Sequence, residues 1–132
     1  MQQMSNVDQA SCKLVISELD LLVYLGCRIH EKKKKQTVPV TIEIHFKNIP
    51  AGANTDEIED TVCYSTLIKH VQNFVKNKNF NLVEKFSKVV HDCVYDFLAK
   101  REYSEALVKV IVHKVISGAA IKGGIFFVYG GE

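Results

Sequence analysis

The chain has 132 residues, which suits one domain that buries about two thirds of the surface its unfolded form exposes. Its hydrophobic fraction of 47% and charged fraction of 24% are ordinary for a globular protein, and a net charge of +2 gives no indication of nucleic-acid binding. The run LVISELDLLVYLG contains Glu18 and Asp20, so it predicts neither a secretion signal nor a membrane span. The four cysteines form no CxxC pair, so we expect free thiols and a cytoplasmic protein.

The N-terminal half predicts a short tail followed by strands. Residues 1–11 are polar and predict a flexible tail, after which a single domain spans 12–132. Residues 13–25 are rich in Val, Leu and Ile, and they predict one bent strand or two short ones. Residues 37–46 alternate between apolar and polar side chains, which is the clearest strand pattern in the chain. Pro39 within it should lie near a strand end, at an edge or in a bulge.

The rest of the chain predicts two helices and two further strands. These elements are a loop over 48–60, a helix over 65–78, a break over 77–81, a second helix ending near residue 100, a strand over 106–114, a glycine-rich turn over 117–124 and a strand over 125–129. The order ββααββ predicts an α+β domain in which two helices cover one face of an antiparallel sheet.

The segment NLVEKFSKVV, at the start of the second predicted helix, permits two interpretations of Glu84. Asn81 and Glu84 have the spacing of a capping box, and a carboxylate suits the positive end of a helix. Alternatively, Glu84 binds a ligand. Spacing alone favours the capping interpretation, because caps are far commoner than ligand sites.

Several other site types are disfavoured. The five histidines lack the spacings of a zinc site, no GxSxG motif is present, and SGAAIKGG lacks the ending of a phosphate-binding loop. The four consecutive lysines at 32–35 predict a solvated loop, with an anion-attracting patch beside a pocket as the alternative. Binding of nucleic acid or membrane would need more basic residues or interleaved aromatic ones.

Four fragments together resemble the family of dihydroneopterin aldolase and dihydroneopterin triphosphate epimerase, over about residues 13–129. In chain order they are LGCRIHEKKKKQ, NTDEIEDTVCYSTL, FNLVEKFS and VIVHK. The resemblance implies the tunnelling fold, in which strands of adjacent subunits form one barrel. It also implies a homo-oligomer, a tetramer or octamer, with active sites between subunits and no metal or other cofactor.

The same resemblance implies which residues bind the substrate. Glu84 would accept hydrogen bonds from the ring N–H and amino group of a pterin, which reverses the preference for a cap. Tyr64, supplied by the neighbouring subunit, would lie against the pterin face. Val62 and Val83 would line the pocket with backbone groups.

Catalytic roles are implied for three residues. Lys114 would transfer a proton, directly or through water, and Tyr64 could relay one. Glu31 would orient Lys114 or the substrate hydroxyls.

The implied reaction is a retro-aldol cleavage of 7,8-dihydroneopterin. Epimerisation of dihydroneopterin or its triphosphate is the alternative, because the same cleavage followed by re-addition inverts the carbon that bears the 2′ hydroxyl. Two departures from many aldolases keep it open: Val-Ile-Ser-Gly follows Lys114, and Lys85 follows Glu84. A pterin-binding oligomer without catalysis is a third possibility.

Overall fold

The computed structural model describes residues 12–114 and 120–130, which form a five-stranded sheet with two long helices. The strands are β1 (Cys12–Leu25), β2 (Gln36–Phe46), β3 (Asn79–Phe80), β4 (Leu107–Lys114) and β5 (Ile125–Gly130). The helices are α1 (Ile29–Lys32), α2 (Gly52–Thr55), α3 (Tyr64–Val75) and α4 (Val83–Ala99), with a 3-10 turn at Ile58–Asp60. The predicted tail over 1–11 lies outside the described residues. So do residues 115–119, which include the first three residues of the predicted glycine-rich turn.

The sheet has the strand order β3-β1-β2-β4-β5. The four longer strands, β1, β2, β4 and β5, pair with one another in antiparallel fashion, as the sequence predicts. Alternate residues of β2 are buried against the helices, so the period-two pattern corresponds to one covered face. The core on this face comes from β1, β2, β4, α3 and α4, and its largest fully buried side chains include Phe86, Leu21, Ile42, Ile44 and Leu67. Burying each such side chain stabilises the fold by about 1.5–3 kcal/mol.

β1 is one bent strand, one of the two forms predicted. Its register against β2 shifts between Ile16 and Leu19, and Glu18 adopts a φ of 53° at this bulge. The Glu18 N–H donates to the Thr41 hydroxyl at 3.1 Å, which satisfies a backbone group that leaves the ladder. Pro39 is paired with β1 and lies one residue beyond the end of the β2–β4 ladder, where a missing N–H is tolerated.

Three details of the predicted layout are wrong. The loop over 48–60 contains α2 and the 3-10 turn, and α3 ends at Val75 rather than at residue 78. The predicted break contains β3, which pairs in parallel with the end of β1. β3 forms because the Tyr24 N–H reaches the Lys78 carbonyl and the Gly26 N–H reaches the Phe80 carbonyl, both at 2.9 Å.

Candidate functional site

Two predicted catalytic residues meet although 83 positions separate them. Lys114 is the last residue of β4, and Glu31 lies in α1, just beyond the end of β1. The Lys114 Nζ is 3.3 Å from Glu31 Oε2, and the two side chains are only 20% and 26% exposed. An ion pair so shielded from water is fixed more firmly than one on an open surface.

Gly26 makes room for the Glu31 carboxylate. Its φ of 148° lies in a region that residues with side chains rarely adopt, and a Cβ here would overlap Glu31 Oε1. The Arg28 N–H donates to Glu31 Oε1 at 3.4 Å, so α1 itself helps to orient the carboxylate. The glycine five residues before the glutamate is therefore a steric requirement of the site.

The Leu25 carbonyl is the second anchor of Lys114. It accepts a hydrogen bond from Lys114 Nζ at 3.1 Å and another from Gln36 Nε2 at 2.6 Å. One backbone oxygen thus connects three strand ends: the end of β1, the start of β2 and the end of β4. This convergence fixes the position of the Lys114 ammonium group.

The electrostatics of the site favour an ionised Glu31. Burial opposes ionisation, but hydrogen bonds from Lys114 and the Arg28 N–H, with the positive charge of Lys114, outweigh it. The pKa of Glu31 is therefore held below its ordinary value. The carboxylate is consequently an acceptor at neutral pH.

The capping box that spacing alone favours at Asn81 and Glu84 does not form. The N-cap of α4 is Leu82, which makes no side-chain capping bond, so Glu84 is the second helical residue rather than the third. The β3–β1 pairing fixes where the chain turns into α4, and it places Asn81 before the cap. The exposed Glu84 carboxylate makes no hydrogen bond or ion pair with the residues that the structure describes.

These groups line one cleft between α1 and the start of α4. The cleft has a volume of about 170 Å³, and its walls are Leu25, Gly26, Cys27, Glu31, Asn81, Leu82, Val83, Glu84 and Lys114. Four of the six predicted site residues are brought together here: Glu31, Val83, Glu84 and Lys114. Pockets that enclose a small ligand usually hold about 300–1,000 Å³, so this cleft is small for such a ligand.

Tyr64 and Val62 do not line this cleft. Tyr64 is the first residue of α3 and is 58% exposed, whereas Val62 is buried in the core at 4% exposure. The resemblance assigns Tyr64 to a neighbouring subunit, so its place within one chain leaves that prediction open. Larger cavities, of about 360, 410 and 250 Å³, are lined by none of the predicted site residues; the first two share Ala51, Glu102 and Tyr103.

Three contributors were not predicted from the sequence: the Leu25 carbonyl that anchors Lys114, Cys27 in the cleft wall, and the Gln36 amide that binds the Leu25 carbonyl. All three lie in the fragment LGCRIHEKKKKQ, on which the resemblance partly rests. Of the three, only Gln36 could have been found from the sequence. It is a polar residue directly before the alternating strand pattern, and a polar side chain in that position needs a hydrogen-bond partner.

Within residues 12–114 and 120–130, no group of three or more His, Cys, Asp or Glu could hold a metal ion. No helix in that part of the chain is both long and apolar enough to cross a membrane.

Comparisons with known proteins agree with this architecture. A probable dihydroneopterin aldolase of Chlamydia trachomatis is 29% identical over 66% of this chain and 70% of its own length. The dihydroneopterin triphosphate 2'-epimerase of Escherichia coli is 29% identical over 64% of this chain and 69% of its own length. The crystal structure of E. coli dihydroneopterin aldolase in complex with neopterin has a TM-score of 0.72 at 21% identity, covering 90% of this chain and 99% of that one, so the mixed α+β fold is shared. The model of the FolB dihydroneopterin aldolase family matches residues 14–124, and the chain belongs to this enzyme family.

Proposed function

We propose that this protein is a dihydroneopterin aldolase, which cleaves 7,8-dihydroneopterin into glycolaldehyde and 6-hydroxymethyl-7,8-dihydropterin for folate synthesis. The observation that carries the proposal is the cleft that holds the Lys114–Glu31 pair beside Glu84, whose carboxylate has no partner among the described residues. Membership of the FolB family supports the same chemistry.

Glu84 is the proposed pterin anchor. A pterin presents a ring N–H and an amino group side by side, and the two oxygens of one carboxylate match these parallel donors. Glu84 is free to do so because it caps no backbone group and pairs with no cation among the described residues. Such a charge-assisted pair would discriminate against a heterocycle lacking the donors by roughly 1–3 kcal/mol. The backbone of Val83, in the same wall of the cleft, would contact the ring edge.

The proposed reaction breaks the bond between the first and second side-chain carbons. A base removes the proton of the 2′ hydroxyl, the C–C bond breaks, and glycolaldehyde leaves. The bonding electrons move into the C6=N5 imine of the substrate, and N5 takes up a proton to form an enamine. A proton is then delivered to the first side-chain carbon while N5 loses its own, which regenerates the imine. Because the substrate supplies its own electron sink, Lys114 has no need to form a Schiff base.

Lys114 and Glu31 are the proposed proton-transfer and orienting groups. The Lys114 ammonium can stabilise the oxyanion that develops as the 2′ hydroxyl loses its proton. Glu31, ionised by its surroundings, can accept a hydrogen bond from a substrate hydroxyl while it holds Lys114. Because Glu31 already holds Lys114 in place, the Lys114–Glu31 pair can keep its geometry while a proton passes through Lys114 or a water bound to it.

The complete pocket is proposed to lie between subunits of a ring. The small cleft of one chain and the exposed Tyr64 support this arrangement, with Tyr64 and the backbone of Val62 contributed by a neighbour. The edge strand β5 also exposes large apolar side chains, Ile125, Phe126 and Val128 at 41%, 58% and 53%. Closing β5 against another subunit would remove both an open sheet edge and an apolar surface. A barrel of four subunits, single or stacked in pairs, is the form that we propose.

Epimerisation at the 2′ carbon is the second candidate. The cleavage intermediate is the same, and re-addition of glycolaldehyde through its other face gives the epimer. The similarity to the E. coli epimerase is the observation that favours this candidate.

Replacing Lys114 by alanine tests the proposal. We expect cleavage of dihydroneopterin to fall by about 10²–10⁴-fold, the range of one proton-transfer group, while the Kd for neopterin changes far less. Product analysis by chromatography separates glycolaldehyde release from epimerisation in the wild type. A non-catalytic binding protein would show no turnover in either form.

Borohydride trapping tests the role of Lys114. The proposed mechanism has no covalent lysine adduct, so reduction in the presence of substrate should leave the protein mass unchanged. A mass increase on Lys114 would contradict the mechanism while leaving the aldolase assignment intact.

A further inference from the structure

The first turn of α4 carries Val83 and Glu84, the two residues of this chain that are proposed to contact the ring. A grip by both oxygens of one carboxylate requires the side chain to lie in the plane of the ring, and a displacement of about half an ångström already weakens such a contact. The Glu84 carboxylate has no partner among the described residues. Its position in the free protein is therefore set by the backbone of this turn.

The N-terminal end of α4 lacks the usual side-chain cap. Its N-cap, Leu82, makes no side-chain capping bond, and Glu84 lies at the second helical position. The first N–H groups of a helix have no acceptor within the helix, and helix ends that lack a cap tend to fray. A different interaction is needed to hold the first turn of α4 in one conformation.

Ser87 supplies a hydrogen bond to this turn from inside the core. Its side chain is fully buried, and it is the only buried polar side chain in the part of the chain that the structure describes. The Ser87 hydroxyl donates to the Val83 carbonyl at 2.7 Å, in addition to the backbone N–H that the helix directs to the same oxygen. A buried hydroxyl without this acceptor would be left unpaired, so the bond is costly to break.

The carbonyl that Ser87 binds belongs to the same peptide unit as the Glu84 N–H. The peptide between Val83 and Glu84 is planar, so fixing the direction of its carbonyl also fixes the Glu84 N–H and Cα. The Ser87 hydroxyl therefore holds the peptide from which the Glu84 side chain projects at the cleft. Among the side-chain hydrogen bonds of the described residues, this is the one that reaches the backbone of residues 82–85.

We propose that Ser87 is a positioning residue for ring binding, because its hydroxyl holds the Val83–Glu84 peptide in the orientation that Glu84 needs. This role rests on the proposed function, since Ser87 acts only through Glu84. The effect should fall on binding rather than on chemistry, because the Lys114–Glu31 pair is anchored by α1 and by the ends of β1 and β4. A hydroxyl that served only to stabilise the core would leave the affinity for the ring unchanged.

The substitution Ser87→Ala tests the inference. It removes the hydroxyl without adding atoms, and Ala has the higher helix propensity, so the thermal unfolding midpoint should stay close to that of the wild type. The Kd for neopterin should rise roughly three- to tenfold, the effect of one hydrogen bond. The KM for dihydroneopterin should rise by a similar factor, while kcat changes less than about twofold.

A double-mutant cycle shows whether Ser87 acts through Glu84. In the background Glu84→Ala, which lacks the carboxylate, Ser87→Ala should change the Kd for neopterin by less than about 1.5-fold. Cys93→Ala is the matched control, because it makes a small change at another buried position of α4. It should leave the Kd for neopterin unchanged.

The outcomes separate the inference from the proposed function. An unchanged Kd in Ser87→Ala, an equal rise in the Glu84→Ala background or an equal rise in Cys93→Ala overturns the inference alone. A fall in kcat at constant KM also overturns it. A wild-type protein that neither binds neopterin nor converts dihydroneopterin overturns the proposed function and the inference with it.

Discussion

The lowered pKa of the Glu31 carboxylate depends on its partner Lys114. Burial alone would favour the protonated form, and the hydrogen bond from Lys114 is the largest influence in the opposite direction. Removing that partner by the substitution Lys114→Ala should therefore raise the pKa of Glu31 in the folded protein. Carbon-13 NMR titration of the Glu31 side chain in the wild type and in the variant measures this change. An unchanged pKa would show that the pair seen here does not control the charge.

The same shift predicts how stability depends on pH. The folded-state pKa of Glu31 is lowered, so the stabilisation is fully present above the unfolded-state value, near 4.5, and is lost as pH falls through the folded-state pKa. In the variant Glu31→Gln, the free energy of unfolding should therefore decrease less than in the wild type as the pH is lowered from about 5. Urea unfolding across this range, with Glu105→Gln as an exposed control, provides the measurement.

Gln36 should affect turnover more than binding. Its amide shares the Leu25 carbonyl with Lys114, so its loss would leave one of the two donors to hold that oxygen. We expect Gln36→Ala to lower kcat by about tenfold or less, with a smaller change in KM, because the residue positions Lys114 without touching the ring. Gln72→Ala, an exposed glutamine of α3, is the matched control. A larger effect on KM than on kcat would contradict a positioning role.

At the scale of elements, the turn at Gly26 joins β1 to α1 and sets the geometry of the cleft. Gly26→Ala would place a Cβ against the Glu31 carboxylate at a φ of 148°, which strains the backbone and displaces the ion pair. We expect a loss of stability of about 1–3 kcal/mol, together with a loss of activity. Gly123→Ala is the control, since a Cβ there meets nothing within 4 Å. Equal thermal unfolding midpoints for the two variants would contradict this account.

Elements whose apolar residues recur with a clear period could be predicted from the sequence. Elements that form because of tertiary contacts could not. Alternation over 37–46 specified both β2 and its buried face. β3 has two residues, too few for any period, and it exists because the end of β1 offers it partners. The β3–β1 pairing places Asn81 before the N-cap of α4, so the capping interpretation that spacing alone favours for Glu84 fails. The Leu25 carbonyl had no sequence signal, because every residue carries a carbonyl.

At the scale of the whole molecule, the proposed sharing of the site between subunits predicts complementation. Tyr64→Ala and Glu84→Ala should each be nearly inactive alone. If Tyr64 comes from one subunit and Glu84 from the next, a mixed ring contains some sites with neither substitution. Random mixing of equal amounts should restore about one quarter of wild-type activity, because each site draws two chains independently.

A second mixture gives the control for this prediction. Glu84 and Lys114 line the same cleft of one chain, so a mixture of Glu84→Ala and Lys114→Ala subunits has a defect in every cleft. This mixture should remain inactive under conditions that restore the first. Both mixtures are prepared by joint unfolding and refolding, and size-exclusion chromatography confirms that each forms the same oligomer. No recovery in the first mixture would place Tyr64 outside the shared site, whereas recovery in the second would mean that the Lys114–Glu31 pair and Glu84 act from different subunits.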